Sequence, residues 1–262
     1  MKIDIPMTKE HIVTSNIVED DFKIYIALPK GYPIKDKLYP VIYLLDANIF
    51  FGLFTDTVRL LQYGKEIPDT IVVGIGYPDG KGHLYLRNRD FGPTPYDMPD
   101  IAGGADNFLK FLNRELKPYI KSIYPIDEND STLAGDSMSG LFGLYTLFHK
   151  PMSFSRYIIG SPSMYWDNAI TFQYEENYSK KHKTLNANVF MSAGALESIY
   201  EPAFAKMVGN VVELSEVFEK RNYEGLQLTT HIFENETHLS VIPATFSRGL
   251  RTVFSSDQLV KE

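Results

Sequence analysis

The apolar positions of this 262-residue chain fall into short runs separated by stretches with helical spacing. Residues 11–15 and 22–28 alternate apolar and polar with the period of two that a half-buried strand needs, and the Gly31-Tyr32-Pro33 turn follows the second. Residues 40–45 and 70–75 are apolar nearly throughout, as expected of strands covered on both faces. Further strands are predicted at 132–134, 156–160, 188–192 and 226–233. Helical spacing appears at 51–61, 141–148, 203–220 and 239–254, and at 105–120, where Phe108, Leu112 and Leu116 share one face and Pro118 should kink or shorten the end. Alternating strands and helices predict an α/β fold, a mostly parallel sheet with helices on both faces. Residues 76–104, rich in Gly, Pro, Asp and Tyr, read as a long loop and as the wall of an active site. No repeat, low-complexity tract or linker divides the chain, so residues 1–262 are expected to form one domain.

One turn between these elements carries chemistry. Gly135-Asp136-Ser137-Met138-Ser139-Gly140 lies between an apolar strand and a buried helix, the setting of a nucleophile elbow. Such a turn lifts the serine hydroxyl above the sheet, and its glycines allow the sharp bend and close backbone approach. The bland alternative is a small-residue turn that only caps a helix.

Composition narrows the chemistry. The chain has no cysteine, which excludes disulfides, thiolate metal sites and a cysteine nucleophile and favours serine chemistry. With 44% hydrophobic residues it can bury on the order of three quarters of its unfolded surface. A net charge of −7 with dispersed basic residues argues against a nucleic-acid partner, and Lys180-Lys181-His182-Lys183 reads as a solvated loop. No stretch approaches 18 uninterrupted apolar residues, and Met1-Lys2-Ile3-Asp4-Ile5 lacks the pattern of a secretory leader, so no membrane partner and a cytoplasmic location are expected. No HExxH or comparable ligand spacing appears, so neither a metal nor another cofactor is expected.

A serine nucleophile needs a base and an acid, in the chain order serine, acid, histidine. His231 falls inside a strand and reads as structural, whereas His238 occupies the polar loop Glu234–Leu239 between the last strand and last helix, where functional groups collect in open α/β sheets. For the acid, Glu197 follows the strand at 188–192, with Asp167 and Glu201 as rivals. The oxyanion hole should combine the N–H of Met138 with one from Asp46-Ala47-Asn48, taken as Ala47.

These residues, with Arg87-Asn88-Arg89-Asp90-Phe91, Gly103-Gly104-Ala105-Asp106-Asn107-Phe108, Glu115-Leu116-Lys117-Pro118-Tyr119-Ile120 and Ser161-Pro162-Ser163-Met164-Tyr165-Trp166-Asp167, resemble the esterase family of α/β-hydrolases that includes esterase D and the enterobactin-type siderophore esterases. The resemblance runs from about residue 10 to residue 255. It implies an α/β-hydrolase fold and a serine esterase with Ser137, Glu197 and His238 as its triad, acting without a cofactor on a small-molecule ester. A siderophore trilactone is among the substrates it suggests, and Asn48, Arg87 and Trp166 are the expected pocket residues. An acyltransferase on the same triad, or a catalytically silent binding protein, are the alternatives. The elbow departs from the family's usual G-H-S-x-G-G at two places. Ser139 is small enough to keep the turn; Asp136 adds a charge beside the nucleophile that would slow attack on anions, or else anchors a loop by hydrogen bonding.

Overall fold

The computed structural model describes residues 5–96, 100–200 and 205–255. Eight strands form one sheet in the order β1-β2-β4-β3-β5-β6-β7-β8: β1 (Thr8–Ser15), β2 (Asp20–Ala27), β3 (Tyr39–Leu44), β4 (Ile71–Gly76), β5 (Ile126–Asp136), β6 (Arg156–Gly160), β7 (Thr184–Gly194) and β8 (Glu224–Phe233). The β1–β2 and β2–β4 pairs are antiparallel and the remaining pairs parallel.

The apolar runs bury both faces of the central strands. In β3 and just beyond it, Val41, Tyr43 and Leu45 enter one core while Ile42 and Leu44 enter the other. On the second face lie α1 (Ala47–Tyr63) and α9 (Ile242–Val253). Helix α1 buries Ala47, Phe50, Phe51, Phe54, Thr55, Val58 and Leu61, the i, i+3, i+4 stripe of a core-facing helix, and its Phe50 and Phe54 rings pack edge-on against Phe246 of α9. The first core gathers α3 (Ala105–Phe111), α4 (Lys117–Ile123), α5 (Met138–His149) and α8 (Met207–Arg221). Helix α5 is buried from Met138 to Phe148, so it is apolar nearly all round.

Four details correct the expectations from sequence. The helix expected at 105–120 does carry Phe108, Leu112 and Leu116 into the core, but Pro118 does not end it. A π turn at Leu112–Leu116 widens the hydrogen-bond ladder, and α4 restarts with Pro118 in its first turn, where its missing N–H costs little. The segment 76–104 is not structureless, since it holds α2 (His83–Phe91), which buries only Asp90 and Phe91 and so leaves little apolar signal. A helix not foreseen, α6 (Trp166–Ser179), follows β6, and its Asp167, Asn168 and Ala169 adopt left-handed φ of 45°, 54° and 60°. The last helix begins at Ile242 with Pro243 in its first turn, rather than at 239.

Candidate active site

The chemistry collects at the carboxyl ends of five neighbouring strands. Beyond β3 comes Asp46; β5 ends at Asp136 and passes into Ser137; β6 is followed by Ser161 to Ser163. Beyond β7 a short helix, α7 (Glu197–Tyr200), opens with Glu197, and beyond β8 lies His238. Parallel strands in register bring these ends together.

Ser137 sits between β5 and α5 at φ 62° and ψ −119°, a conformation that costs a non-glycine residue about 1–3 kcal/mol. The surroundings hold it there. Its N–H donates to Gly160 C=O at 3.0 Å, and its C=O accepts from Leu141 and Ser163 N–H. A Cβ on Gly135 would stand 2.8 Å from the Ser139 backbone and one on Gly140 2.6 Å from Gly160 C=O, so both elbow glycines are close-approach positions. The Ser137 hydroxyl lies 3.3 Å from that of Ser163.

His238 Nδ1 donates to Glu197 Oε2 at 3.1 Å, while Glu197 Oε1 accepts from Ser161 Oγ and from Gly194 N–H, both at 2.6 Å. The carboxylate is 1% exposed and the imidazole residue 8%. Three donors compensate the burial of that charge and point one oxygen at one ring nitrogen, which selects the tautomer with its proton on Nδ1. The loop after β6 thus serves both halves of the site: Ser161 grips the acid and Ser163 touches the serine. Of the acids left open by the sequence, Asp167 lies in the left-handed turn of α6, and Glu201 falls outside the described residues. His231 stays on β8, its ring edge-on to Phe233.

Met138 and Ala47 are the first residues of α5 and α1, so helical geometry gives their N–H groups no intrahelical acceptor and the helix dipole favours negative charge beside them. Their relative placement depends on a buried knot. Asp46 takes a bidentate pair from Arg87, Nε to Oδ1 at 2.8 Å and Nη2 to Oδ2 at 2.7 Å. The Ser139 hydroxyl, 2.7 Å from the same Oδ2, also accepts Asp136 N–H at 2.9 Å. Burial pulls the Arg87 guanidinium down, but the charge and hydrogen bonds of Asp46 outweigh this and leave it above its ordinary value. Asn48 ties the start of α1 to the chain after β4, donating to Tyr77 C=O and accepting Tyr77 N–H. Two expected pocket residues, Arg87 and Asn48, therefore have polar atoms engaged within the protein. Trp166 is buried, donates to Thr94 and meets the Tyr96 ring edge-on at 5.7 Å. Beside it a cavity of about 480 Å³ is lined by Tyr96, Tyr165, Phe172, Lys206, Asn210 and Glu213.

Asp136 is 1% exposed and its Oδ1 has no hydrogen-bond partner, so it does not anchor a loop through that oxygen. Ser161 and Ser163 fall in a stretch that resembles the esterase family and Asp46 beside the expected oxyanion residue, but nothing in the sequence gives their side chains a role. Their partners lie tens of residues away, and only the loops' position after consecutive strands hints at them. Among the described residues, no cluster of His, Asp and Glu could hold a metal ion.

An open α/β sheet with a serine on a strained strand-to-helix turn, and a buried carboxylate–imidazole pair at the neighbouring strand ends, has the form of an α/β-hydrolase, and comparisons with known proteins agree. The chain belongs to the Putative esterase family, whose model matches residues 15–238. It is 34% identical over 268 residues to the ferri-bacillibactin esterase BesA of Bacillus subtilis, covering 97% of this chain and 91% of the relative. It is 30% identical to the siderophore triacetylfusarinine C esterase of Aspergillus fumigatus over 83% of this chain and 82% of that one. A crystal structure of the BES protein from Bacillus cereus superposes with a TM-score of 0.84 at 34% identity, covering 97% of both chains. The protein is a carboxylic ester hydrolase that uses serine chemistry.

Proposed function

We propose that the protein hydrolyses the ester bonds of a siderophore, the substrate class named for its relatives, with Ser137 as nucleophile, His238 as base and Glu197 as orienting acid. The observation that carries the triad is the buried Glu197–His238 hydrogen bond beside the loop that also touches Ser137. His238 Nε2 takes the Ser137 proton as Oγ attacks the ester carbonyl, and Glu197 stabilises the imidazolium formed. The N–H groups of Met138 and Ala47 receive the oxyanion. The imidazolium then protonates the departing alkoxide, and water, activated by the same histidine, releases the acid from the acyl-enzyme. Asn48, the outer edge of Arg87 and Trp166 line the pocket in this reading, and the cytoplasm is its compartment.

The test is cleavage of a ferric tricatecholate trilactone and of a ferric trihydroxamate triester, followed by mass spectrometry of the products. Ser137→Ala should lower turnover by on the order of 10⁵- to 10⁶-fold while leaving the fold intact. Cleavage of p-nitrophenyl esters alone, with both siderophores untouched, overturns the substrate class. Turnover surviving in Ser137→Ala overturns the triad.

A further inference from the structure

The loop after β6 touches both halves of the site, and one of its hydroxyls takes no part in the triad. The loop is pinned at three points: Ser161 N–H donates to Ser192 C=O at 2.7 Å, Ser163 N–H to Ser137 C=O at 3.1 Å and Trp166 N–H to Ser163 C=O at 3.1 Å. Ser161 takes a left-handed φ of 34°, a conformation that a non-glycine residue keeps only where its surroundings impose it. The loop also lies against the first turn of α5, where a Cβ on Gly140 would stand 3.1 Å from Pro162 Cα. Ser163 is 0% exposed whereas Ser137 is only half-buried, so the Ser163 hydroxyl has no bulk water to bond.

A buried hydroxyl needs an acceptor for its proton. Among the described residues the Ser163 hydroxyl has one hydrogen-bond partner, Ser137 Oγ at 3.3 Å. Two arrangements of the protons are open. If Ser137 donates, the Ser163 proton is left buried without an acceptor and the nucleophile's own proton points away from the base. If Ser163 donates, its proton is satisfied and that of Ser137 is free for His238 Nε2, the lone-pair nitrogen of the tautomer that Glu197 selects. We infer that Ser163 is a further catalytic residue: its hydroxyl donates to Ser137 Oγ, turns the nucleophile's proton toward the base and stabilises the negative charge on Oγ as that proton leaves. This rests on the proposed triad.

In acylation the Ser137 proton passes to His238 Nε2 while an Oγ electron pair forms the bond to the ester carbonyl carbon. In deacylation that bond breaks, Oγ takes the electron pair and His238 returns a proton to it. Ser163 keeps its own proton throughout. Oγ carries developing negative charge early in the first step and late in the second, and a hydroxyl bonds a charged oxygen about twice as strongly as a neutral one. At 3.3 Å the resting pair is long for two hydroxyls, which leaves room for the bond to tighten as that charge builds. The bond is therefore stronger in the transition state than in the resting enzyme, the condition for raising kcat.

The experiment measures the rate at which a fluorophosphonate labels Ser137, which reports the nucleophile without an ester substrate, beside kcat and KM for p-nitrophenyl acetate. Ser163→Ala deletes the hydroxyl and keeps the N–H that holds Ser137 C=O. It should slow labelling and lower kcat by about 10- to 100-fold, the rate equivalent of one hydrogen bond to a charged oxygen, and leave KM nearly unchanged. Ser163→Cys, close in shape but a weaker donor, should fall between Ser163→Ala and wild type. If near-ultraviolet circular dichroism shows Ser163→Ala misfolded, Ser163→Cys takes the same readouts. Labelling and kcat that match wild type, or a loss carried by KM alone, would mean that the hydroxyl only fills space and would overturn the proposal. Mass spectrometry of the labelled peptide separates the two readings. Label on Ser137 at an unchanged rate in Ser163→Ala fails this proposal alone; label on another residue fails the triad, and this proposal with it.

Discussion

Asp46 and Asp136 are both aspartates, both at the carboxyl ends of adjacent parallel strands, and both nearly inaccessible to water. The protein treats them in opposite ways. Asp46 has two oxygens and three donors within 2.8 Å, whereas Asp136 has an oxygen with none. The first behaves as a mechanical part: a planar guanidinium fork and a hydroxyl tie the start of α1 to α2 and to the start of α5. The second has an oxygen that makes no hydrogen bond, and burial pushes its carboxyl up to about 7. Burial depth alone does not separate these roles; the hydrogen-bond partners do.

The comparison can be broken most severely at Arg87. Arg87→Ala would leave Asp46 buried without its counter-charge, a change that typically costs about 3–5 kcal/mol. Urea unfolding should show that loss, and Arg87→Lys, which keeps charge but not the fork, should recover only part of it. Equal stability of Arg87→Ala and wild type would show that the fork does not hold the corner.

Asp136 should respond with the opposite sign. Its carboxyl is raised in the folded state from about 3.8 to about 7, so the folded protein binds more protons than the unfolded chain between those values, and stability falls as pH rises through that window. Three units correspond to at most about 4 kcal/mol, an order-of-magnitude figure. Asp136→Asn removes the penalty. It should melt at a higher temperature than the wild type at pH 8, and the gain should shrink steadily toward pH 4. A Tm difference independent of pH would contradict the assignment. Gaining stability while losing activity would mark Asp136 as a group kept for function.

The smallest effect is expected at the residue that joins the two aspartates. Ser139→Ala deletes the hydroxyl that accepts Asp136 N–H and sits on Asp46 Oδ2, leaving one buried donor unsatisfied at a cost of about 1–2 kcal/mol. Esterase activity should fall only a few-fold, since Arg87 still holds Asp46. Loss as large as that of Arg87→Ala would merge the two roles into one.

The sheet and the elbow are legible in the sequence because both depend on local pattern: β3 and β4 are apolar runs, and the elbow is a tight set of small residues. Helix α6 is not, because the left-handed Asp167–Ala169 turn breaks the helical period at its start and polar residues crowd the rest of the helix. Helix α2 is hidden by its own exposure. At the site, Ser137 and His238 can be read from chain order and from their loops. Glu197 cannot be separated from Asp167 by pattern, because the distinction is which carboxylate faces one imidazole nitrogen. The Asp46–Arg87 fork joins residues on different elements, and nothing local announces it. Asp136 is legible as an oddity, but the sealing of its Oδ1 appears only when Thr245 of α9 and Gly160 of β6 close over it.

That packing against Gly160 constrains the history open to this chain. With aspartate at 136, a side chain at 160 runs into the carboxyl and also stands 2.8 Å from Thr245 Cγ2. Position 160 is therefore closed from two elements at once, and opening it takes a change at 136 together with a shift of Thr245. A chain that keeps this aspartate is expected to keep glycine at 160.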